Sequence, residues 1–389
     1  MLAYIAPVFV FGLVVFVHEL GHFLAAKAVG VYTPRFSIGF GKTLFKKRWG
    51  ETEYVIAMLP VGGYVRMASK EDEATAFIEG GSENSATHVA THGQPLDPEA
   101  MIPFGPKPIP AHRWFESKPL WARMVILLAG VTMNILLAFV VTTGMFMHYG
   151  TPYLSTTADS VLAGRPGERA GLVRGDSIVA IQGVPLRKWD KLVERVGASE
   201  NVPLTFDIIR AGQARKLVIT PVRDTTRDPD TGASGRAVRI GIMPSQGSKD
   251  LGFVPAIGAG WNATWAMAGS VLDALKGLAT REVSASQLGG PIMIAQASVQ
   301  AAQGGAERLL FLIALISANL AVFNLLPIPI LDGGQIVLNL LESAKGSAFS
   351  TRTRDYILRA GIATVLLLFV LVTYNDLRRL VTSAMERFG

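Results

Sequence analysis

Leu2-Ala3-Tyr4-Ile5-Ala6-Pro7-Val8-Phe9-Val10-Phe11-Gly12-Leu13-Val14-Val15-Phe16-Val17-His18-Glu19-Leu20-Gly21-His22-Phe23-Leu24-Ala25-Ala26 is the run on which the reading of this chain turns. Nothing from Leu2 to Val17 is charged, and Glu19 is the one acid before Lys27. As a helix rising 1.5 Å per residue, the run is long enough to cross ~30 Å of hydrocarbon. Inside it lies His18-Glu19-Leu20-Gly21-His22, an H-E-x-x-H pattern. One helical turn separates the imidazoles, so both can address a single metal, while Glu19 beside them can activate a bound water. An acid at the centre of an apolar span costs at least ~2.5 kcal/mol, which argues against an unpartnered structural role. A cleaved signal peptide is the competing reading. No Lys or Arg precedes the apolar stretch, however, and His18, Glu19 and His22 stand where small residues would mark a cleavage site.

Composition extends this local reading to the whole chain. Of 389 residues, 50% are hydrophobic and 17% charged, against ~25% charged in soluble domains, and mean hydropathy is +0.35. A membrane protein follows. The absence of cysteine excludes disulfides, thiolate zinc sites, iron-sulfur clusters and cysteine nucleophiles. The net charge of +7 comes largely from Lys and Arg beside apolar runs. These are read as signals of orientation in a bilayer, with no nucleic-acid partner.

Three further runs complete a polytopic α-helical protein with four transmembrane helices: 1–26, 124–148, 309–334 and 357–374, the third being regular from Leu309 to Leu326. Lys27, Arg35, Lys42, Lys46, Lys47 and Arg48 follow the first span, and Arg113, Lys118 and Arg123 precede the second, so the loop 27–123 is expected to be cytoplasmic. Residues 151–245 then lie outside, 335–355 return as a cytoplasmic helix or loop, and 375–389 form a C-terminal tail whose Arg378 and Arg379 run mildly against this orientation. Leu251–Leu272 is uncharged, but Pro255, Gly258, Gly260, Asn262, Gly269 and Ser270 dilute its apolar signal, and Trp261 and Trp265 suit the membrane boundary. The segment 251–306 is therefore read as interfacial or partly inserted. A single extra crossing there would put residues after the third span on the wrong side for the His pair, although a second crossing within 283–306 would restore parity.

The loop 27–123 divides in two. Residues 35–67 alternate strand-like runs with Gly39, Gly41, Gly50, Gly62 and Gly63, which predicts a small membrane-associated β-hairpin or sheet. Residues 69–110, rich in Gly, Ser, Thr, Glu and Pro, predict a mobile segment. Between the second and third spans, Ala170-Gly171-Leu172, Gly175-Asp176-Ser177-Ile178 and Ile181-Gln182-Gly183 resemble one PDZ-like α+β domain, with a helix at Leu192–Val196 and strands at Leu204–Ile209 and Lys216–Thr220. Such a groove takes peptide tails by strand addition. A generic small α+β insertion is the alternative.

A catalytic zinc needs a third protein ligand and an open fourth position. With cysteine absent, the best candidate is Asp332 in Asn324-Leu325-Leu326-Pro327-Ile328-Pro329-Ile330-Leu331-Asp332-Gly333-Gly334. Pro327 and Pro329 break the third span, and irregular backbone at that depth is tolerated only within protein or around a wet cavity. Asp332 could instead cap the next helix, or do both with different oxygens.

These parts together resemble the bacterial site-2 proteases, the intramembrane zinc metalloproteases of the regulator-of-sigma-E protease group. The resemblance covers almost the whole chain. It rests on His18 to His22, Gly39-Phe40-Gly41, Leu59-Pro60-Val61-Gly62-Gly63-Tyr64-Val65, the PDZ-like insertion, Gly289-Gly290-Pro291-Ile292 and the Asn324 to Gly334 run. It implies Zn2+ bound by His18, His22 and Asp332, with Glu19 as acid-base. It also implies a membrane-entering hairpin that takes substrate as an added strand around Gly39, Phe40, Gly41, Gly62, Gly63 and Tyr64, and Asn324 contacting substrate or oxyanion. The implied setting is a bacterial inner membrane, with the active site near the cytoplasmic side and the PDZ-like domain periplasmic. The implied substrates are single-span proteins such as anti-sigma factors or remnant signal peptides. Two departures stand out. Val131 replaces the proline usual in Ala129-Gly130-Val131-Thr132-Met133-Asn134, and one PDZ copy replaces two.

Competing signals are weaker. His88 and His92 are four apart, but Val89 stands at the Glu position. Gly41-Lys42-Thr43 lacks the earlier glycine of a phosphate loop, no G-x-S-x-G elbow occurs, and His112 and His148 suit an interface. A zinc transporter would spread polar residues along a path, and a non-catalytic PDZ membrane adaptor would have no use for Glu19 between two ligands; both stand as alternatives.

Overall fold

The computed structural model describes residues 2–69, 109–224, 237–280, 282 and 289–388. The expected mobile segment lies outside these from 70 to 108, as do His88 and His92. The chain forms two compact units, Met1–Met145 with Val254–Gly389, and Phe146–Phe253.

In the first unit, α1 (Ala6–Ala28) carries the H-E-x-x-H pattern. Gly30, at φ 72°, ends it by letting the Val31 N–H reach Ala26 O. Strands β1 (Arg35–Trp49) and β2 (Thr52–Arg66) follow as a long twisted hairpin. The chain folds back so that residues 35–38 have partners on both sides: Phe36 with Tyr54 and Val65, Ile38 with Ile56 and Gly63. Phe23, Phe36 and Val65 bury one face of this sheet against α1. At the turn between the strands, Glu51 accepts from Arg113 at 2.7 and 2.9 Å and from Lys27 at 2.5 Å. Arg113 first, then Lys27, hold its carboxyl down at about 2.

Helix α2 (Leu120–Tyr149) lies antiparallel to α1: Val14 packs with Leu137 and Val141, while His22 meets Ile126. Their approach is close at Gly21, where a β-carbon would lie 2.7 Å from the Ala129 carbonyl carbon.

The second unit is built on a sheet ordered β10-β3-β4-β6-β7, with β5 beside β4. Its members are β3 (Thr151–Val161), β4 (Ser177–Ile181), β5 (Val184–Pro185), β6 (Leu204–Arg210), β7 (Gln213–Ile219) and β10 (Ile242–Lys249). A short α3 (Pro166–Arg169) and α4 (Trp189–Gly197) pair with it, and β8 (Val222–Asp224) and β9 (Ala237–Arg239) form a separate ribbon. Leu172, Ile178, Ile181, Leu192, Phe206 and Ile208 make its core. Buried Asp176 receives Arg210 on both oxygens and the Val173 N–H, pinning the Gly171–Asp176 turn that the sequence singled out.

The chain returns to the first unit as α5 (Phe253–Ala279), α6 (Pro291–Gln303), α7 (Ala306–Asn324), α8 (Asp332–Lys345) and α9 (Thr351–Phe388). Four helices among the described residues are long and apolar enough to cross a membrane: Ala3–Ala28, Leu120–Tyr149, Ala306–Asn324 and Arg352–Thr382.

Three sequence expectations need correction. The segment read as one stretch, 251–306, is two helices, and α5 packs beside α2 and α7. Thr142 reaches Gly260 O and Thr264, Met267 packs with Ala138, Ala314 and Ala318, and Val271 packs with Val322. Small residues that weaken its apolar signal are those that let it approach: at Gly260 a β-carbon would lie 3.0 Å from Thr143 backbone. Second, the third span, expected to be regular from Leu309 to Leu326, is the helix Ala306–Asn324, and Asp332 is the first residue of α8 with Leu331 at the N-cap position, so the N-cap alternative fails. Third, 375–389 is no separate tail, because α9 continues to Phe388. Buried Asp376 there accepts the N–H groups of Gly290, Ile292 and Met293 at the start of α6.

Candidate metal centre

Helix α1 supplies two donors. His18 and His22 stack edge to face with centroids 4.7 Å apart, and their Nε2 atoms are 3.1 Å apart. The third donor arrives after α7. Ile328 N–H bonds to Leu326 O and Leu331 N–H to Ile328 O, winding the proline-broken stretch into a tight turn that ends at Asp332. Gly333 and Gly334 permit this turn: β-carbons there would lie 2.5 Å from Leu326 O and 2.6 Å from Pro329 Cα. Asp332 Oδ2 lies 3.3 Å from His18 Nε2, and Oδ1 lies 3.4 Å from His22 Nε2.

These three residues form the His/Asp/Glu cluster found among the described residues, with donor atoms within 4.8 Å of one another. The geometry suits zinc on three counts. Tetrahedral bonds of ~2.0–2.1 Å put donors about 3.3–3.4 Å apart, close to the spacings above. Asp332 Oδ2 is buried with no hydrogen-bond partner. And Gly130 of α2 leaves a cradle over the pair, since a β-carbon there would meet His22 Nε2 and lie 2.7 Å from Cε1 of each imidazole.

The ring nitrogens facing away are also engaged. His22 Nδ1 lies 2.8 Å from Ile126 O, so it carries the proton and leaves Nε2 free for a metal. His18 Nδ1 lies 3.3 Å from the side-chain amide of fully buried Asn134. Asn324, at the end of α7, places its amide nitrogen 3.1 Å from His18 Nε2.

Glu19 points to the sheet. A β-carbon on Gly63 would lie 3.6 Å from its Cγ. The remaining residues expected at the substrate lie in the hairpin. Gly39, Gly41 and Gly62 take positive φ of 90°, 86° and 122°, and Phe40 stacks on Tyr64 at 6.0 Å. His112 and His148 are exposed and outside the cluster. Sequence reasoning missed Asn134 and Gly130. Asn134 carried a usable signal, a polar amide within an apolar span; Gly130 carried none without its partner helix.

A model of peptidase family M50 matches residues 6–368. A protein of Rhizobium meliloti, provisionally named a zinc metalloprotease, is 32% identical over 97% of each chain. The zinc metalloprotease RasP of Bacillus licheniformis is 29% identical over 97% of this chain and 99% of its own. The regulator of sigma-W protease RasP of Bacillus subtilis is 28% identical over 97% and 98%. Among solved structures, the PDZ domain of an SdrC-like protein from Listeria monocytogenes matches with a TM-score of 0.20 and 16% identity, covering 24% of this chain and 88% of that one.

Proposed function

Since the chain belongs to peptidase family M50 and is a zinc metalloprotease of the site-2 type, we propose that it cleaves peptide bonds within the membrane segments of single-span proteins, with His18, His22 and Asp332 as zinc ligands and Glu19 as acid-base. The observation that carries this reading is the convergence of two imidazoles from α1 and a carboxylate from the start of α8 beside a glutamate that faces a sheet edge.

Bound zinc supplies Lewis acidity toward the scissile carbonyl and toward a water. Glu19 takes the proton of that water and delivers it to the departing amine. The amide of Asn324 donates toward the developing oxyanion. A helical substrate hides its carbonyls in backbone bonding and must unwind, and the edge near Gly63 offers replacement partners by strand addition. Gly39, Phe40, Gly41, Gly62 and Tyr64 shape that edge. The basic loops support a multi-pass protein of a bacterial inner membrane with the metal site near the cytoplasmic face and residues 151–245 outside, as a PDZ-like domain for peptide tails. The sigma-W regulator named among the relatives points to anti-sigma-like substrates, with remnant signal peptides as a second group.

The test is cleavage of a purified single-span substrate in liposomes by the wild type and by Glu19→Gln, with zinc measured in both. Cleavage by the wild type alone, at equal zinc content, supports the reading. Equal cleavage by both removes Glu19 from the chemistry.

A further inference from the structure

The two imidazoles differ in what holds them. His22 gives its Nδ1 proton to a backbone carbonyl, Ile126 O, an acceptor that no side-chain substitution removes. His18 has only the Asn134 side chain at Nδ1, 3.3 Å away, in a site where Asn134 is fully buried. The Asn134 amide oxygen is buried with no partner, while the amide nitrogen is the atom drawn toward the ring. A ring that binds metal through Nε2 must carry its proton on Nδ1, and two N–H groups cannot donate to one another. Half a rotation of the amide resolves both points, because the orphaned oxygen then accepts the Nδ1–H. The residue is also braced from another helix. Ser317 of α7 donates to the Asn134 carbonyl at 2.8 Å, tying its backbone to the helix that ends at Asn324.

We propose that Asn134 is a positioning residue, its side-chain oxygen holding His18 in the Nδ1-protonated tautomer and at the ring angle that zinc binding requires. The proposal rests on the ligand assignment above. Asn134 touches neither substrate nor the reacting atoms; it acts through His18. Outer partners of this kind change metal affinity by ~10–100-fold when removed. The replacement that preserves the role is a carboxylate, which accepts the same proton and makes the ligand more basic.

The experiment compares full-length wild type, Asn134→Ala, Asn134→Asp and His18→Ala, purified in one detergent. Zinc affinity is read by competition with a chromogenic chelator, and ligand geometry by the visible absorption of the cobalt-substituted proteins. Asn134→Ala is expected to bind zinc ~10–100-fold more weakly with an altered cobalt spectrum, whereas Asn134→Asp keeps wild-type affinity or better. A purely packing role would weaken both variants alike. Wild-type affinity in Asn134→Ala overturns the proposal, as does a loss of tenfold or more in Asn134→Asp, which decides the matter even where the alanine variant does not fold. His18→Ala separates this from the underlying reading: unchanged zinc binding there would remove the ligand assignment itself, whereas loss there beside an unaffected Asn134→Ala would remove only the positioning role.

Discussion

Gly130→Ala puts one methyl group where the two imidazoles converge. The new β-carbon would lie 2.7 Å from Cε1 of both His18 and His22, and nearer still to His22 Nε2. Optimal carbon contacts are ~3.5 Å or longer, so the overlap is about 0.8 Å on two rings at once. It can be relieved in two ways. If the rings move by about 1 Å, they leave the ~0.5 Å tolerance of a working site, zinc affinity falls by at least the ~10–100-fold seen for lost outer partners, and turnover falls by ~100-fold or more. If α2 withdraws instead, the packing beside Gly21 opens at a cost of ~1–3 kcal/mol, seen as a lower Tm. The assay is zinc content by mass spectrometry, Tm, and cleavage of a single-span substrate on the same preparations. Gly144→Ala, on the same helix with nothing within 4 Å of its β-carbon, is the control. It should keep zinc and activity, and gain up to ~1 kcal/mol of helix propensity. Full zinc, unchanged Tm and wild-type turnover in Gly130→Ala would falsify the idea that the donors converge beneath this glycine.

Asp332→Ala should lower zinc content and activity together, and a fully loaded, active variant would take Asp332 out of the site. Glu19→Gln should keep zinc and lose cleavage, as measured by the paired assay above. Replacing residues 153–244 by a short linker should leave zinc stoichiometry at the wild-type value, because every donor lies in the other unit; loss of zinc from a folded deletion variant would contradict this. Glu51 is a depressed carboxyl, so its contribution to stability is complete above its ordinary value near 4.5 and is lost as pH falls toward about 2. Glu51→Gln should therefore flatten the acid limb of a Tm-against-pH curve between those values, and parallel curves would argue against the assigned pairing with Arg113 and Lys27.

The candidate pair His18 and His22 was legible in sequence because charge within an apolar helix is rare and the i,i+4 spacing is local. The turn to Asp332 was legible because Pro327 and Pro329 forbid a regular helix there. What escaped depends on partners remote in the chain. The small residues of α5 read as weak apolar signal until Ala138, Thr142 and Ala318 are set against them. The continuation of α9 depends on Asp376, whose partners lie 83 to 86 positions away. Gly130 is an ordinary helical glycine until α1 brings two rings beneath it.

The distance along the chain between the halves of the metal site sets an order of events during synthesis. His18 and Asn324 are 306 positions apart, and Asp332 comes later still. At ~5–20 residues per second, about 15–60 s pass between translation of the H-E-x-x-H helix and arrival of the carboxylate that completes the donor set. Under the proposed ligand assignment, the nascent chain carries through that interval two imidazoles and a glutamate but two of three ligands, too few to retain zinc firmly. On that assignment, proteolytic competence waits for the turn that brings Asp332, and a chain stalled before it would lack the full donor set.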